Sequence, residues 1–590
     1  MIDDTAFSRR TLLIGAAATS LATVPAAATQ RTATANPAGL RLLTSIDGIN
    51  TPPRGGGVMK FSFANPEPSI DFAGLIFGFE IITFENNYGI DPALVSVERG
   101  EGTLRLTASG LTWAGGQQRR PGRLVATMTR GGDGAIEWAV TAQMDVPIKA
   151  VKTVVRGLPR GRLSMAAEHW DDIGENERVY EYPMLTGGMA TPFMAVEGKA
   201  GKVWGISALQ TEVRPARFAF LPGPDGFKTE LLSEQAGWDR RNAVETCRWR
   251  IAADADITAA ARRHFATVEK NWSIPDFATR QDAPAWMKQL ACVVALHGEH
   301  WTGYVFNDFA RQLEILRWIA RQIDPASVMV FLPGWDARYY WDYPAFTPGS
   351  RPGGDAGLTR LIREARKLGF RVALMFGSNV ANPASPAFAP VADARLLDVY
   401  GSQFPANYVD WDGDRKGDGS MVFMNLGVDS WRRHLTGRIA DMLDRTGADA
   451  YFLDICGLWE NNTQGDMMVG TRTMVSELAQ RHPGVGVVAE MQYDAQMGFI
   501  PMNHVPRYSL YPQASDDKVA SFNHLSWPAP GHGSTGVHEY GFNTYRPVTI
   551  DQRQIPTITF VDDSFTDQRA AIMRDLATAR ARHAKRNGRT

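Results

Sequence analysis

Between about residues 290 and 490 the chain alternates short apolar runs with longer amphipathic ones, and this alternation limits the possible fold more than any other feature. "LACVVALHG", "SVMVFLPGW", "FRVALMFGSN", "ADAYFLDICG" and "GVGVVAEMQ" read as buried strands. Helical patterns lie between them. "DFARQLEILRWIARQI" sets Phe309, Leu313, Leu316 and Ile319 near helical spacing. "GLTRLIREARKLG" sets Leu358, Leu361, Ile362, Ala365 and Leu368 on one side and ends at Gly369 as a C-cap. "DSWRRHLTGRIADMLDRTG" starts at Asp429 as N-cap and ends at Gly447, and "DMMVGTRTMVSELAQRH" is a fourth helix. Strand and helix in strict turn imply a parallel sheet. A (β/α)8 TIM barrel is the leading architecture. An open doubly wound sheet is weaker, because no glycine-rich phosphate loop follows the first strand. After about residue 500 the pattern loosens into loop-rich, aromatic sequence, with one further strand in "IPTITFVDD" and a helix from about 566.

The preceding part of the chain has a different rhythm. "TLRLTAS", "RLVATMTR", "AIEWAVTAQMDV", "KAVKTVVRG" and "KVWGISALQ" alternate apolar and polar residues between Gly, Pro and Asp turns, as antiparallel strands do. The expected fold class is therefore multidomain, an N-terminal antiparallel β-sandwich followed by an α/β (β/α)8 barrel. The expected bounds are 57–275 for the sandwich and 282–590 for the barrel, whose late units are irregular, with a Thr-, Ala-, Pro- and Gly-rich linker over 29–56.

Residues 1–28 read as a twin-arginine signal peptide. Arg9 and Arg10 precede an apolar run, and Ala26 and Ala28 make an A-x-A cleavage site, so the mature chain is expected to start near Thr29. The apolar run is short for a spanning helix, which favours a leader over an anchor. A periplasmic or secreted location follows, with no membrane association after the leader is removed. Formal net charge is −1, so bulk electrostatics offers nothing to nucleic acid or anionic lipid. The three cysteines, Cys247, Cys292 and Cys456, have no C-x-x-C spacing and read as buried thiols, neither a zinc site nor a disulfide framework.

Two acids interrupt the apolar strands. Asp454 follows "AYFL" and Glu490 follows "VGVVA", one βα unit later. In a barrel, strand C-termini line the active face, and neighbouring strands run about 4.8 Å apart. Both carboxyl groups can then reach one sugar. Glycosidic cleavage needs such a pair, one ionised to attack or stabilise the anomeric carbon, the other protonated to release the leaving oxygen. Capping of the next helix or pairing with an arginine is the competing explanation for either acid alone.

The region from about 285 to 500 resembles retaining α-glycosidase barrels, the broad group of α-amylase-type, endo-α-N-acetylgalactosaminidase-type and α-galactosidase-type hydrolases. "FLPGWDARYYWDYPAF" is similar to their second-strand loop and "MNLGVDSWRRHL" to the segment leading to the nucleophile strand. "DAYFLDICG" resembles that strand, and "VVAEMQ" resembles an acid/base strand one unit later. The resemblance implies Asp454 as nucleophile, Glu490 as acid/base, and Asp562 or Asp563 in the place of a third carboxylate.

Loops after strands supply further candidates for substrate contact. These are Trp335, Asp336, Trp341 and Asp342 after the second strand, Trp459 and Tyr493 after the two acids, and His524 in the late aromatic region. Asp410 and Asp412 in "NYVDWDGDRKGDG" join them. The calcium-loop alternative fails because position 12 from Asp410 is Met421 rather than glutamate. "HGEH" (His297, Glu299, His300) lacks the H-E-x-x-H spacing of a zinc helix. The sequence thus points to an exported retaining glycoside hydrolase acting on a carbohydrate, with no metal or cofactor. The rival readings are a non-catalytic carbohydrate-binding barrel and a polysaccharide lyase.

Overall fold

The structure, a computed structural model, describes residues 40–43, 67–166, 170–183, 188–198, 201–224, 226–403, 408–409, 412, 414, 419–490, 493–504, 517–525, 554–561, 564–567 and 569–586. The stretch expected to be a signal peptide and most of the expected linker lie outside these residues. Four residues assigned to the linker, Leu40–Leu43, instead form an edge strand antiparallel to Glu67–Ile70. Four residues are too few to show a period, so composition hid the strand.

Residues 67–254 form two antiparallel sheets, which with the edge strand hold ten and nine strands. The alternation seen in sequence decides which side chains turn inward. Leu104, Leu106 and Ala108 are buried along Thr103–Ala108, as are Ile136, Trp138, Val140 and Ala142 along Ile136–Gln143. Trp138 and Trp249 stack at the centre with ring centroids 6.3 Å apart. Each also donates an indole hydrogen bond to the opposite sheet, Trp138 to Thr153 Oγ1 at 3.1 Å and Trp249 to Ser233 Oγ at 2.8 Å. The two sheets are therefore tied through their core as well as by apolar contact. Helix α1 (Ile257–Trp272), capped by Asp256, packs on the nine-stranded sheet.

The second half is a closed ring of eight parallel strands. They are β1 (Cys292–Leu296), β2 (Val328–Leu332), β3 (Arg371–Gly377), β4 (Ala450–Asp454), β5 (Gly486–Glu490), β6 (Met502–His504), β7 (Ala520–Leu525) and β8 (Ile555–Phe560). Strand β8 pairs with β1 and closes the ring. Every residue of β1, β2, β4 and β5 is buried, because packed side chains fill the inside and helices cover the outside. The covering helices are α2 (Phe309–Ile319), α3 (Gly354–Leu368), α4 (Asp429–Thr446), α5 (Met467–Arg481) and α6 (Arg569–Arg586). Gly369 and Gly447 end α3 and α4 at φ 105° and 68°, as expected of C-cap glycines. At the other end of α4 the N-cap is Val428. Asp429 is the first helical residue and pairs with Arg432 and Arg433.

Strands β6 and β7 explain why the late units escape pattern reading. β6 has three residues, and among the described residues between β5 and β6 the one regular element is a 3-10 turn over Asp494–Gly498. Among the described residues no helix is long and apolar enough to cross a membrane. All three cysteines are free; Cys292 and Cys456 are buried, whereas Cys247 is only half-buried.

The two halves share one apolar interface. Ile455, Leu458, Trp459, Tyr493 and Met497 from the loops after β4 and β5 belong to the same buried cluster as the sandwich core. Arg280, fully buried after α1, pins this junction. It donates to the carbonyls of Met497 at 2.6 Å and Lys518 at 3.1 Å while pairing with Asp282 at 2.7 Å. Arg280→Ala orphans two carbonyls and is expected to lower unfolding stability by about 2–6 kcal/mol, at about 1–3 kcal/mol for each unsatisfied buried group. Urea denaturation followed by tryptophan fluorescence measures it, and a loss under 0.5 kcal/mol (about the scatter of a surface substitution) would contradict this account.

Candidate active site

Parallel register builds the site. Gly377 at the end of β3 pairs with Asp454 at the end of β4, and Leu453 pairs with Ala489, so Asp454 and Glu490 leave adjacent strands at one level. The Asp454 carbonyl accepts from Ser378 N at 3.0 Å and Ser378 Oγ at 2.6 Å, which locks the strand end. The chain then turns sharply at Ile455, φ 55°, a left-handed conformation that a β-branched residue rarely adopts. The turn aims the Ile455 amide at Glu490 Oε2, 3.0 Å away. Such strain persists only where its surroundings enforce it.

The two carboxyl groups are buried and hydrogen-bonded to each other, and no lysine or arginine bridges either of them among the described residues. Burial pushes both pKa values up. For Glu490 the neighbouring Asp454 charge and the hydrogen bond to Asp454 add to burial and hold it well above the usual carboxylate range. For Asp454, hydrogen bonds from Glu490, Tyr340 and the Ile455 amide offset part of the burial effect. The Ile455 amide pulls Glu490 down as well, but burial and the Asp454 charge outweigh it, so Glu490 is the more strongly raised of the two and the better holder of a shared proton. The Tyr340 phenol donates to Asp454 Oδ2 at 2.9 Å, while Oδ1 has no hydrogen-bond partner among the described residues. His504, at the end of β6, places Nδ1 3.8 Å from Glu490 Oε1, and burial pushes its pKa down to about 3, so the ring is neutral.

Tyr340 and His504 are the functional candidates that sequence reading missed. Tyr340 is one of several aromatics in "GWDARYYWDYP", and nothing local distinguishes it. Its backbone sits at φ 70°, with Ala337 at 68° in the same loop. Gly377 makes room beneath this loop, since a Cβ there would lie 2.1 Å from the Tyr343 ring.

The other candidates divide. Asp336 is buried beside the pair, and neither carboxyl oxygen has a hydrogen-bond partner among the described residues. Burial first, then the charges of Asp342, Asp454 and Glu299, raises its pKa well above the ordinary value. Trp341 is half-exposed, with the Arg338 guanidinium 5.5 Å above its ring. Asp342 is exposed and accepts from the Arg338 amide at 2.9 Å, closing its own loop.

Three aromatics expected at substrate are packing residues. Trp335 is buried, donates to the Met375 carbonyl at 2.7 Å and packs edge-on against Phe376. Trp459 and Tyr493 are buried against Trp238 and Tyr182 of the sandwich. An aromatic after a strand end serves interdomain packing as readily as a ligand, and sequence cannot separate the two.

Asp412 is exposed and accepts from the Asp414 amide. Asp410, Asp562 and Asp563 lie outside the described residues. His524 lies in β7 opposite Thr557, and its side chain is outside them too. His297 packs among the rings of His300, Phe306 and Tyr339, and Glu299 is bridged by Arg351 at 3.0 Å. Among the described residues no group of three or more His, Cys, Asp or Glu side chains is arranged to hold a metal ion.

No protein-family model and no curated protein matches this chain. Solved structures do. The α-N-acetylgalactosaminidase NagBb from Bifidobacterium bifidum in its GalNAc complex is similar over 93% of this chain and 92% of that chain, at 13% identity and TM-score 0.64. Its ligand-free form is similar over 88% and 93%, at 13% identity and TM-score 0.60. The chain has the fold of that glycosidase. A GH36 α-galactosidase from Geobacillus stearothermophilus aligns over 86% of this chain and 73% of that chain, at 11% identity and TM-score 0.49.

Proposed function

We propose that the chain is an exported glycoside hydrolase that cleaves α-glycosidic bonds with retention of configuration. The observation that carries this reading is the hydrogen-bonded, buried carboxyl pair on adjacent strands of the barrel, with a phenol on one member. In retaining enzymes the two carboxyl groups stand about 5–5.5 Å apart, against about 6.5–9.5 Å in inverting ones. Two carboxyl groups near enough to share a proton favour the shorter of these separations.

Asp454 attacks the anomeric carbon as the glycosidic C–O bond breaks, and the Glu490 proton passes to the leaving oxygen. The Glu490 carboxylate then takes a proton from water, which attacks the same carbon and releases Asp454. Two inversions restore the α configuration. Tyr340, by donating to Oδ2, holds the negative charge on Asp454 and leaves Oδ1 to attack. Asp336 supplies a buried carboxyl for a sugar hydroxyl, and Trp341 supplies a face for a ring. The name of the NagBb structure makes the aryl α-N-acetylgalactosaminide the first substrate to try, with the α-galactoside and other aryl α-glycosides after it.

Asp454→Asn and Glu490→Gln are each expected to lower kcat on the order of 10³-fold or more with folding intact. Proton NMR of the first-formed product is expected to show the α anomer. Wild-type turnover in either variant, or a β product, would sink the assignment. Absence of turnover on the whole panel alongside sugar binding would favour a carbohydrate-binding barrel.

The pH profile of kcat/KM is expected to be bell-shaped. Below the acid limb Asp454 is protonated and cannot attack; above the basic limb Glu490 has lost its proton and cannot release the leaving group. Both limbs are displaced upward from ordinary carboxylates, as the raised pKa values require. Tyr340→Phe removes a donor to the ionised form of Asp454, so its acid limb moves to higher pH. A hydrogen bond to a charged group contributes about 1.5–3 kcal/mol, so activity at the optimum falls about tenfold or more. An acid limb that stays in place would remove Tyr340 from this role.

Export through the twin-arginine pathway completes the reading. Replacing Arg9 and Arg10 by lysine in the producing bacterium is expected to retain the protein in the cytoplasm. Undiminished periplasmic protein on fractionation would contradict it.

A further inference from the structure

Four residues beyond Glu490 the chain carries another buried acid, Asp494, which faces away from the catalytic pair and into the sandwich. Its Oδ1 accepts from the Tyr182 phenol at 2.6 Å and from the Ala495 amide at 2.7 Å. Its Oδ2 accepts from Thr191 Oγ1 at 2.9 Å, and its own amide donates to the Ala190 carbonyl at 2.8 Å. Thr191 Oγ1 lies 2.7 Å from His264 Nε2 on α1. With the threonine hydroxyl donating to Asp494, that ring nitrogen must carry the hydrogen. A single chain of donors then runs from α1 through the sandwich to the carboxylate. No lysine or arginine bridges Asp494 among the described residues, so an ionised carboxylate is held there by neutral donors alone.

The same turn reaches back to the catalytic strands. Gln496 donates to the Cys456 carbonyl at 2.9 Å, and the Gly457 amide donates to the Glu490 carbonyl at 2.9 Å. The loop after β4 is held from the sandwich as well. Asn461 donates to Glu234 Oε1 at 2.8 Å and accepts from the Gly237 amide at 2.8 Å. Gly498 passes so close to the end of α1 that a Cβ would lie 2.5 Å from the Trp272 carbonyl. Both loops that leave the carboxyl pair are therefore fixed by hydrogen bonds from outside the barrel.

We propose that Asp494 is a positioning residue for the carboxyl pair, through which Tyr182 and Thr191 of the sandwich set the contact between Glu490 and Asp454. The proposal rests on the hydrolase reading. It adds that the sandwich is part of the catalytic apparatus rather than an appended binding module. Displacement of a reacting group by about 1 Å can cost about a hundredfold in rate, so a loosened turn acts on kcat more than on KM.

The test uses the full-length protein and three variants. Asp494→Ala is expected to lower kcat on an aryl α-glycoside at least tenfold with KM changed less than threefold. Asp494→Asn can keep every contact, because Thr191 and His264 can reverse their donor direction; it is expected to recover most of kcat. Tyr182→Phe deletes one oxygen and serves if the alanine variant does not fold. The readout independent of turnover is the titration of Glu490 in protein carrying 13C-labelled glutamate, with Glu490→Gln assigning the signal. Asp494→Ala, or Tyr182→Phe in its place, is expected to lower that apparent pKa toward an ordinary carboxylate, because the contact with Asp454 opens. An unmoved titration in a folded variant overturns the proposal whether or not a substrate is in hand. If Asp454→Asn and Glu490→Gln abolish turnover while Asp494→Ala matches wild type, only the positioning role falls. If the first two variants remain active, the hydrolase reading falls instead.

Discussion

Two carboxyl groups in hydrogen-bond contact and buried at a barrel end cannot both be charged. Two like charges about 4 Å apart repel by about 4 kcal/mol at an effective dielectric constant of about 20, and burial adds to that. One proton must stay, and the surroundings decide where. Three donors, Tyr340, the Ile455 amide and Glu490 itself, bear on how it divides, and the phenol falls on Asp454. Much of the local architecture serves this asymmetry. Ser378 locks the Asp454 strand end, Ile455 accepts an unfavourable backbone angle, and Gly377 forgoes a side chain so that Tyr343 can pass beneath the Tyr340 loop.

The sandwich enters the same logic. Loops at the top of a barrel usually answer only to their own contacts and to solvent. Here the loops after β4 and β5 are buried in the sandwich core through Trp459 and Tyr493, and hydrogen-bonded to it through Asn461 and Asp494. Arg280 adds a third tie from the connecting segment. A rigid ring of strands and a second packed body thus clamp the site from two sides.

Much of this architecture was legible in the sequence. The regular units from β1 to β5 announced themselves because each strand is apolar except at an end residue such as Arg371, Asp454 or Glu490, and each helix has an apolar stripe. The two acids stood out because a carboxylate at the end of such a strand has no packing role. The late strands did not stand out. Met502–His504 is too short to carry a period, and a 3-10 turn replaces the helix before it. Tyr340 was hidden among equivalent aromatics, since only its backbone angle brings its hydroxyl to Asp454. Trp335, Trp459 and Tyr493 were misjudged for the converse reason: residue type and loop position say that a ring will be buried but not what will bury it.

The ring closes by pairing its last strand with its first, residues that stand more than half of the described barrel apart in the chain. Until Ile555–Phe560 has been synthesised, β1 and β7 each present an unpaired row of backbone donors and acceptors. The sandwich has no such dependence, because its strands are complete by Asp254. A nascent chain of this protein would therefore carry fully paired sandwich strands joined to an open sheet, and that sheet would stay its most adhesive surface until Ile555–Phe560 emerges.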